Sequence, residues 1–252
     1  MTAVLLCLLS VGVSAEETMA THSHPICGSR CGCGSSHSSN TWTAWDGTTR
    51  MYNGYYYLTK DVVLSNTMIL DYSYTSYLCL NGHTITCDNM VFDIYSYRSL
   101  LISDCVGTGT ITSTGSCTIS NNKYLSVWGG TITNSGSGAA VYSYNNTTTY
   151  VCGGTVKAEN YCGIYAYPGS RIYVQGGNVQ GGSNYSAAID GHDISGGTQH
   201  SQLTVSGDVN VTTDGYGYAL AHVIPNSTSI AATNVAVNVT SAILSMEQSA
   251  MM

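Results

Sequence analysis

Three groups of side chains in this sequence have types and spacings that could do chemistry. The densest is His22, His24, Cys27, Cys31, Cys33 and His37, six thiol or imidazole ligands in one short stretch. Thiolate and imidazole suit tetrahedral Zn²⁺, so zinc is the one cofactor the sequence suggests and none is expected elsewhere. The spacing lacks the Cys-x2-Cys pairs of structural zinc sites, and a Gly/Ser-rich linker with a disulfide or spare thiols fits it better. The tightest ionisable cluster is Asp190-Gly191-His192-Asp193. Its carboxylates and imidazole are the best candidates for acid–base work, although an Asp-Gly turn with a solvated histidine fits the cluster better. The third group is aromatic: Tyr142, Tyr144, Tyr165, Tyr167 and Tyr173 alternate within segments of successive repeats. Tyrosine faces beside Asn, Ser and Thr suit the apolar CH faces and hydroxyl rims of sugars, and tyrosine also favours strands on its own account.

What could hold these groups in place follows from composition. The chain has 252 residues, only 8% of them charged, with 28 Gly and 20 Tyr. Helix surfaces need Lys, Glu, Arg and Gln, whereas this bulk of Ser, Thr, Asn, Gly, Val, Ile and Tyr suits short strands and tight turns. The expectation is an all-β fold. A net charge of -7 leaves no basic patch to bind nucleic acid. A hydrophobic fraction of 43% is ample for a core.

The apolar run at residues 3–15 is too short to span a bilayer and ends in Val13-Ser14-Ala15, a small-x-small cleavage signature. It reads as a signal peptide despite lacking a preceding Lys or Arg, and no membrane span is expected in the mature chain. The product is therefore expected to be secreted or at the cell surface. Of the ten cysteines, Cys7 lies in this run, leaving an odd number. Cys79, Cys87, Cys105, Cys117, Cys152 and Cys162 would pair in an oxidising medium or serve as small buried hydrophobes.

The strongest signal is a repeat. Gly129-Gly130-Thr131-Ile132-Thr133 recurs as Gly153-Gly154-Thr155-Val156-Lys157, as Gly176-Gly177-Asn178-Val179-Gln180 and, loosely, around Val209; earlier copies centre on Ile85 and Ile111. The period is about 21–30 residues, and the better copies carry three short strand-like segments. Such strands cannot bury an apolar side alone, so coils must stack. The expected architecture is a right-handed parallel β-helix, a single-stranded solenoid, over residues 46–241. The expected division is a signal peptide at 1–15, a Cys/His- and Ser-rich N-terminal segment and cap at 16–45, and a tail at 242–252, for which truncation is one reading. Ile132, Val156, Val179 and Val209 would form an inward ladder. Thr-x-Thr triplets raise an ice-binding face, but their row ends at Lys157 and Gln180.

Trp42-Thr43-Ala44-Trp45, Gly54-Tyr55-Tyr56-Tyr57-Leu58, Leu78-Cys79-Leu80-Asn81-Gly82-His83-Thr84-Ile85 and Gly107-Thr108-Gly109-Thr110-Ile111, in this order, resemble the opening coils of secreted bacterial right-handed parallel β-helix repeat proteins. These have a pectate-lyase-like fold and are of gut Firmicutes type. The resemblance implies early coils capped by the Trp/Tyr-rich segment, and speaks to fold more than function. Hydrolases of this general form carry several Asp on adjacent coils and a Gly-His-Gly segment; here Gly191-His192 matches only in part and Asp193 replaces the second glycine. The function expected is a non-catalytic solenoid that binds carbohydrate or adheres to glycans or host surface molecules. The alternative is a polysaccharide lyase or glycoside hydrolase using Asp190, His192 and Asp193.

Overall fold

The computed structural model describes residues 42–71, 73–183, 187–191, 200–214, 218–221 and 228–236. Among them every regular element is a β-strand. A lead-in strand β1 (Thr43–Ala44) precedes a first coil of β2 (Gly54–Tyr57), β3 (Val62–Leu64) and β4 (Met68–Leu70). The second coil is β5 (Thr75–Cys79), β6 (Thr84–Cys87) and β7 (Phe92–Ile94), and the third is β8 (Ser99–Ser103), β9 (Thr110–Ser113) and β10 (Cys117–Asn121). Then come β11 (Tyr124–Val127), β12 (Thr131–Asn134) and β13 (Ala139–Ser143), followed by β14 (Thr148–Val151), β15 (Thr155–Ala158) and β16 (Ile164–Ala166). In later coils the first two strands fuse: β17 (Arg171–Gly181) is followed by β18 (Ala187–Asp190), β19 (Gln202–Thr213) by β20 (Tyr218–Ala221), and β21 (Thr228–Ala236) lies on β19.

Every pairing is parallel, and each strand of the early coils lies on its counterpart one coil away. Three faces result. The first runs β2-β5-β8-β11-β14-β17, the second β3-β6-β9-β12-β15-β17, and the third β4-β7-β10-β13-β16-β18-β20. Together they make a parallel β-solenoid, seven strands deep on its third face.

The periodic aliphatics line its interior. On the second face Ile85, Ile111, Ile132, Val156 and Val179 stand in register, each fully buried. Burying each contributes roughly 1.5–3 kcal/mol, which no isolated strand this short could obtain. Leu78, Ile102, Val127, Val151 and Val174 do the same on the first face, and Phe92, Ile119, Val141, Ile164 and Ile189 on the third. One rung differs from the sequence expectation. Val179 pairs with Val211, not Val209. Val174 pairs with Val205 but Gly176 with Asp208, so β19 carries one extra residue where the two faces meet and the repeat shifts by a bulge.

Corners are held by buried side chains and by glycine. Asn121 Nδ2 donates to Thr149 Oγ1 at 2.9 Å and to the Thr148 carbonyl at 3.0 Å, while its Oδ1 accepts from the Lys123 N–H at 3.0 Å. Asn134 repeats the device, donating to Ser113 Oγ and the Gly115 carbonyl and accepting from the Gly136 N–H. Thus two fully buried amides are satisfied inside the turns. At the corner between the first and second faces Gly154 has φ 70° and lies against the coil below, in a conformation and a space that exclude a side chain.

The Trp-rich start packs against the first coils. Trp45 is buried in the main core, 6.3 Å from Phe92, with its indole N–H donating to the Thr49 carbonyl at 2.8 Å. Trp42 packs edge-on to Tyr55 over the outer side of the first face. Cys79, Cys87, Cys105, Cys117 and Cys162 are free thiols, four of them buried, as small core hydrophobes would be. No helix among the described residues is long and apolar enough to cross a membrane.

Candidate functional site

The third face carries the main group of candidate residues, and its register explains why. In β13 and β16 the residues flanking Tyr142 and Tyr165 point into the core: Val141 and Ser143, Ile164 and Ala166 are all buried. Strand alternation therefore turns both tyrosines outward, and parallel pairing sets Tyr142 beside Tyr165. Two residues on, Tyr144 and Tyr167 begin the next corner, their N–H groups donating to the Asn121 and Ser143 carbonyls of the preceding coils. The result is two adjoining columns on one surface.

Their rings interlock. Tyr144 and Tyr167 stack at 4.7 Å with planes 11° apart. Tyr142 stands edge-on to both, at 86° to Tyr144 and 82° to Tyr167, and Tyr165 meets Tyr167 at 65°. Tyr161, from the turn before β16, adds a fifth ring 6.0 Å from Tyr165. Because the planes differ, the cluster offers ring faces in more than one direction. Burial, and next the neighbouring phenols, push the Tyr142 and Tyr165 hydroxyls well above their ordinary range. Tyr144 and Tyr167 are raised chiefly by burial as well. All four remain neutral hydroxyls at physiological pH, suited to hydrogen bonding with other hydroxyls and not to proton transfer.

Tyr173, grouped with these four by sequence, lies elsewhere. It is on the first face, stacked on Tyr150 at 4.6 Å and 12°, with Tyr124 beyond Tyr150 at 5.7 Å. It belongs to the first strand of its coil, whereas the other four lie in the third strand or the corner just after it, a distinction that alternation alone does not make.

Asp190 is at one edge of the third-face cluster, in register with Tyr165. It is fully buried at the end of a strand, unlike the residue of a solvated turn. The Cys162 thiol is pushed far up by burial and then by the Asp190 charge. His192 and Asp193, and the whole set His22, His24, Cys27, Cys31, Cys33 and His37, lie outside the described residues. Among the described residues no group of three or more His, Cys, Asp or Glu could hold a metal ion.

Towards the first coils the same outward column reads Tyr142, Ser120, Asp93. Here the surface dips into a groove of about 360 Å³ lined by Asp93, Ser120, Asn122 and Cys117, with Tyr95 and Tyr144 among its walls. Asn122 Nδ2 donates to Asp93 Oδ1 at 3.2 Å and Ser120 Oγ at 3.1 Å. The Cys117 thiol is pushed up to about 12, mainly by burial, so it is no nucleophile at neutral pH. Asp93 and Asp190 are separated in this column by Ser120, Tyr142 and Tyr165, four coil spacings or about 19 Å. Paired carboxylates that cleave glycosides stand about 5–9.5 Å apart, so these two do not form such a pair.

Sequence reasoning missed Tyr161 and the groove residues Asp93, Ser120 and Asn122. For Asp93 and Ser120 the signal was present: aligning Phe92-Asp93, Ile119-Ser120, Val141-Tyr142, Ile164-Tyr165 and Ile189-Asp190 sets one such position after each buried aliphatic. No protein-family model matches this chain, and no curated protein and no solved structure matches it.

Proposed function

We propose that the protein is a secreted or cell-surface, non-catalytic β-solenoid of pectate-lyase-like kind that binds carbohydrate, on glycans or host surface molecules, through the tyrosines of its third face. The observation that carries this reading is the gathering of Tyr142, Tyr144, Tyr161, Tyr165 and Tyr167 on one surface. Rings that stay neutral and stand in several planes suit the CH faces and hydroxyl rims of sugars. The distance between Asp93 and Asp190 supports binding over hydrolysis.

Glycan-array binding by purified wild type and Tyr165→Ala tests the proposal. Wild type should bind, and removal of this ring should weaken binding about tenfold, the worth of one aromatic contact of about 1.4 kcal/mol. Binding unchanged in Tyr165→Ala removes the cluster from recognition. Release of reducing ends or unsaturated products, abolished by Asp190→Asn, establishes an enzyme instead.

A further inference from the structure

The tyrosine column at the corner after the third face has a gap. Backbone hydrogen bonds put Tyr95, Asn122, Tyr144 and Tyr167 at equivalent positions of four successive coils: the N–H of each of the last three donates to the carbonyl of Ile94, Asn121 or Ser143, the residue just before the equivalent position in the preceding coil. Tyr144 stacks on Tyr167, so its other face looks towards the coil of Asn122. Tyr95, half exposed, stands on the far side. The short Asn122 side chain therefore leaves one coil of the ladder without a ring, and this is the groove already described.

We infer that this gap is a slot for a single neutral pyranose ring, held between Tyr95 and Tyr144. The inference rests on the carbohydrate-binding reading and deepens it. Coils rise about 4.8 Å each, so the two ring columns are about 9.6 Å apart along the axis. A ring midway lies about 4.8 Å from each, the spacing at which Tyr144 and Tyr167 already stack, so one pyranose ring fills the space between the two faces. The floor is polar in the right sense. The two Asn122 Nδ2 hydrogens are spent on Asp93 and Ser120, so Asp93 and the Asn122 Oδ1 accept, Ser120 donates, and the groove volume of about 360 Å³ exceeds what one hexose needs. Charge selects further. No Lys, Arg or His is among the described residues lining the groove, and the Asp93 carboxylate sits in its floor. A uronic or sialic acid would meet like charge, so the ligand is a neutral hexopyranose.

The test is to complete the ladder. Asn122 has none of the positive φ that tyrosine would resist, and its counterparts one and two coils on are already tyrosine. Binding of methyl glucopyranoside, methyl galactopyranoside and galacturonate is measured by saturation-transfer NMR and calorimetry, beside the glycan array, for wild type, Asn122→Tyr and Tyr95→Ala. Wild type should bind one of the neutral glycosides and not galacturonate, Asn122→Tyr should lose that binding by at least about tenfold, and Tyr95→Ala should weaken it comparably. Should Asn122→Tyr fail to fold, Tyr95→Ala decides alone, because its ring is half exposed and outside the core. Wild type that binds glycans on the array while both variants bind equally well overturns the slot and leaves the carbohydrate reading standing. Tighter binding of galacturonate than of the neutral glycosides also overturns it. Wild type that binds no glycan at all refutes the carbohydrate reading itself.

Discussion

Replacing Gly154 by alanine probes the contact on which every outward column depends, the approach of one coil's backbone to the next. A Cβ on Gly154 would stand 2.4 Å from the Gly130 carbonyl oxygen and 2.8 Å from the Gly129 carbonyl carbon. Both atoms belong to the stacked corner and can move only with the coil. Gly107 is the control: its φ is 91°, yet a Cβ there meets nothing within 4 Å. Positive φ costs an alanine about 1–2 kcal/mol at either site. Overpacking against an unyielding neighbour adds about 1–3 kcal/mol, at Gly154 alone. Gly107→Ala should therefore lose about 1–2 kcal/mol and Gly154→Ala about 2–5 kcal/mol. Urea titration by far-UV circular dichroism reads both losses, with the transition slope checking that the same surface is exposed in each. If Gly154→Ala is no less stable than Gly107→Ala, the corner is not closely stacked and the register that aligns Tyr142 with Tyr165 loses its basis.

Two further outcomes follow from the electrostatics and the thiols. The raised phenols of Tyr142, Tyr144, Tyr165 and Tyr167 hold protons that the unfolded chain releases. Their contribution is complete below about pH 10 and is lost as pH climbs through their raised values, so urea midpoints should fall in that window. The share of the phenolate absorbance that disappears when these four tyrosines are replaced by phenylalanine should rise only as the dichroism signal disappears, and ionisation of these rings in the native protein contradicts the packing. On the first face the Sγ atoms of Cys79 and Cys105 are 3.6 Å apart, with Cys105 exposed and the Cys79 thiol pushed up to about 12 mainly by burial. In oxidised glutathione the Cys105 thiolate should attack the glutathione disulfide and Cys79 then displace glutathione, forming a bridge detected by mass spectrometry as the loss of two hydrogens and stabilising the fold by about 3 kcal/mol. A stable glutathione adduct on Cys105, with no bridge, refutes the pairing; Cys105→Ser is the blank.

The interior was legible in the sequence because it is written in one dimension. Ile85, Ile111, Ile132, Val156 and Val179 recur after turn glycines, and stacking is what a period of this length imposes. The extra residue of β19 was not legible, since a bulge leaves composition and alternation intact while moving the rung from Val209 to Val211. The surface was legible only in part. Strand alternation turns Tyr142 and Tyr165 outward, but whether Tyr173 joins them depends on which of three faces its strand occupies. The burial of Asp190 has no mark in the alternation of its strand, which sets it in register with the outward Tyr165. The groove escaped notice because its defining residue, Asn122, is conspicuous only against the tyrosines above and below it.

The outward columns have a consequence for how such a protein can change. Side chains such as Tyr142 and Tyr165 alternate with buried neighbours that hold the coils together, so on the proposed reading recognition and cohesion are divided between neighbouring letters of the same strand. A single-base exchange converts an asparagine codon into one for tyrosine. Under the proposed carbohydrate-binding reading, opening or shutting the slot is thus one mutational step that leaves the aliphatic interior untouched, and ligand preference would drift coil by coil on an unchanging scaffold.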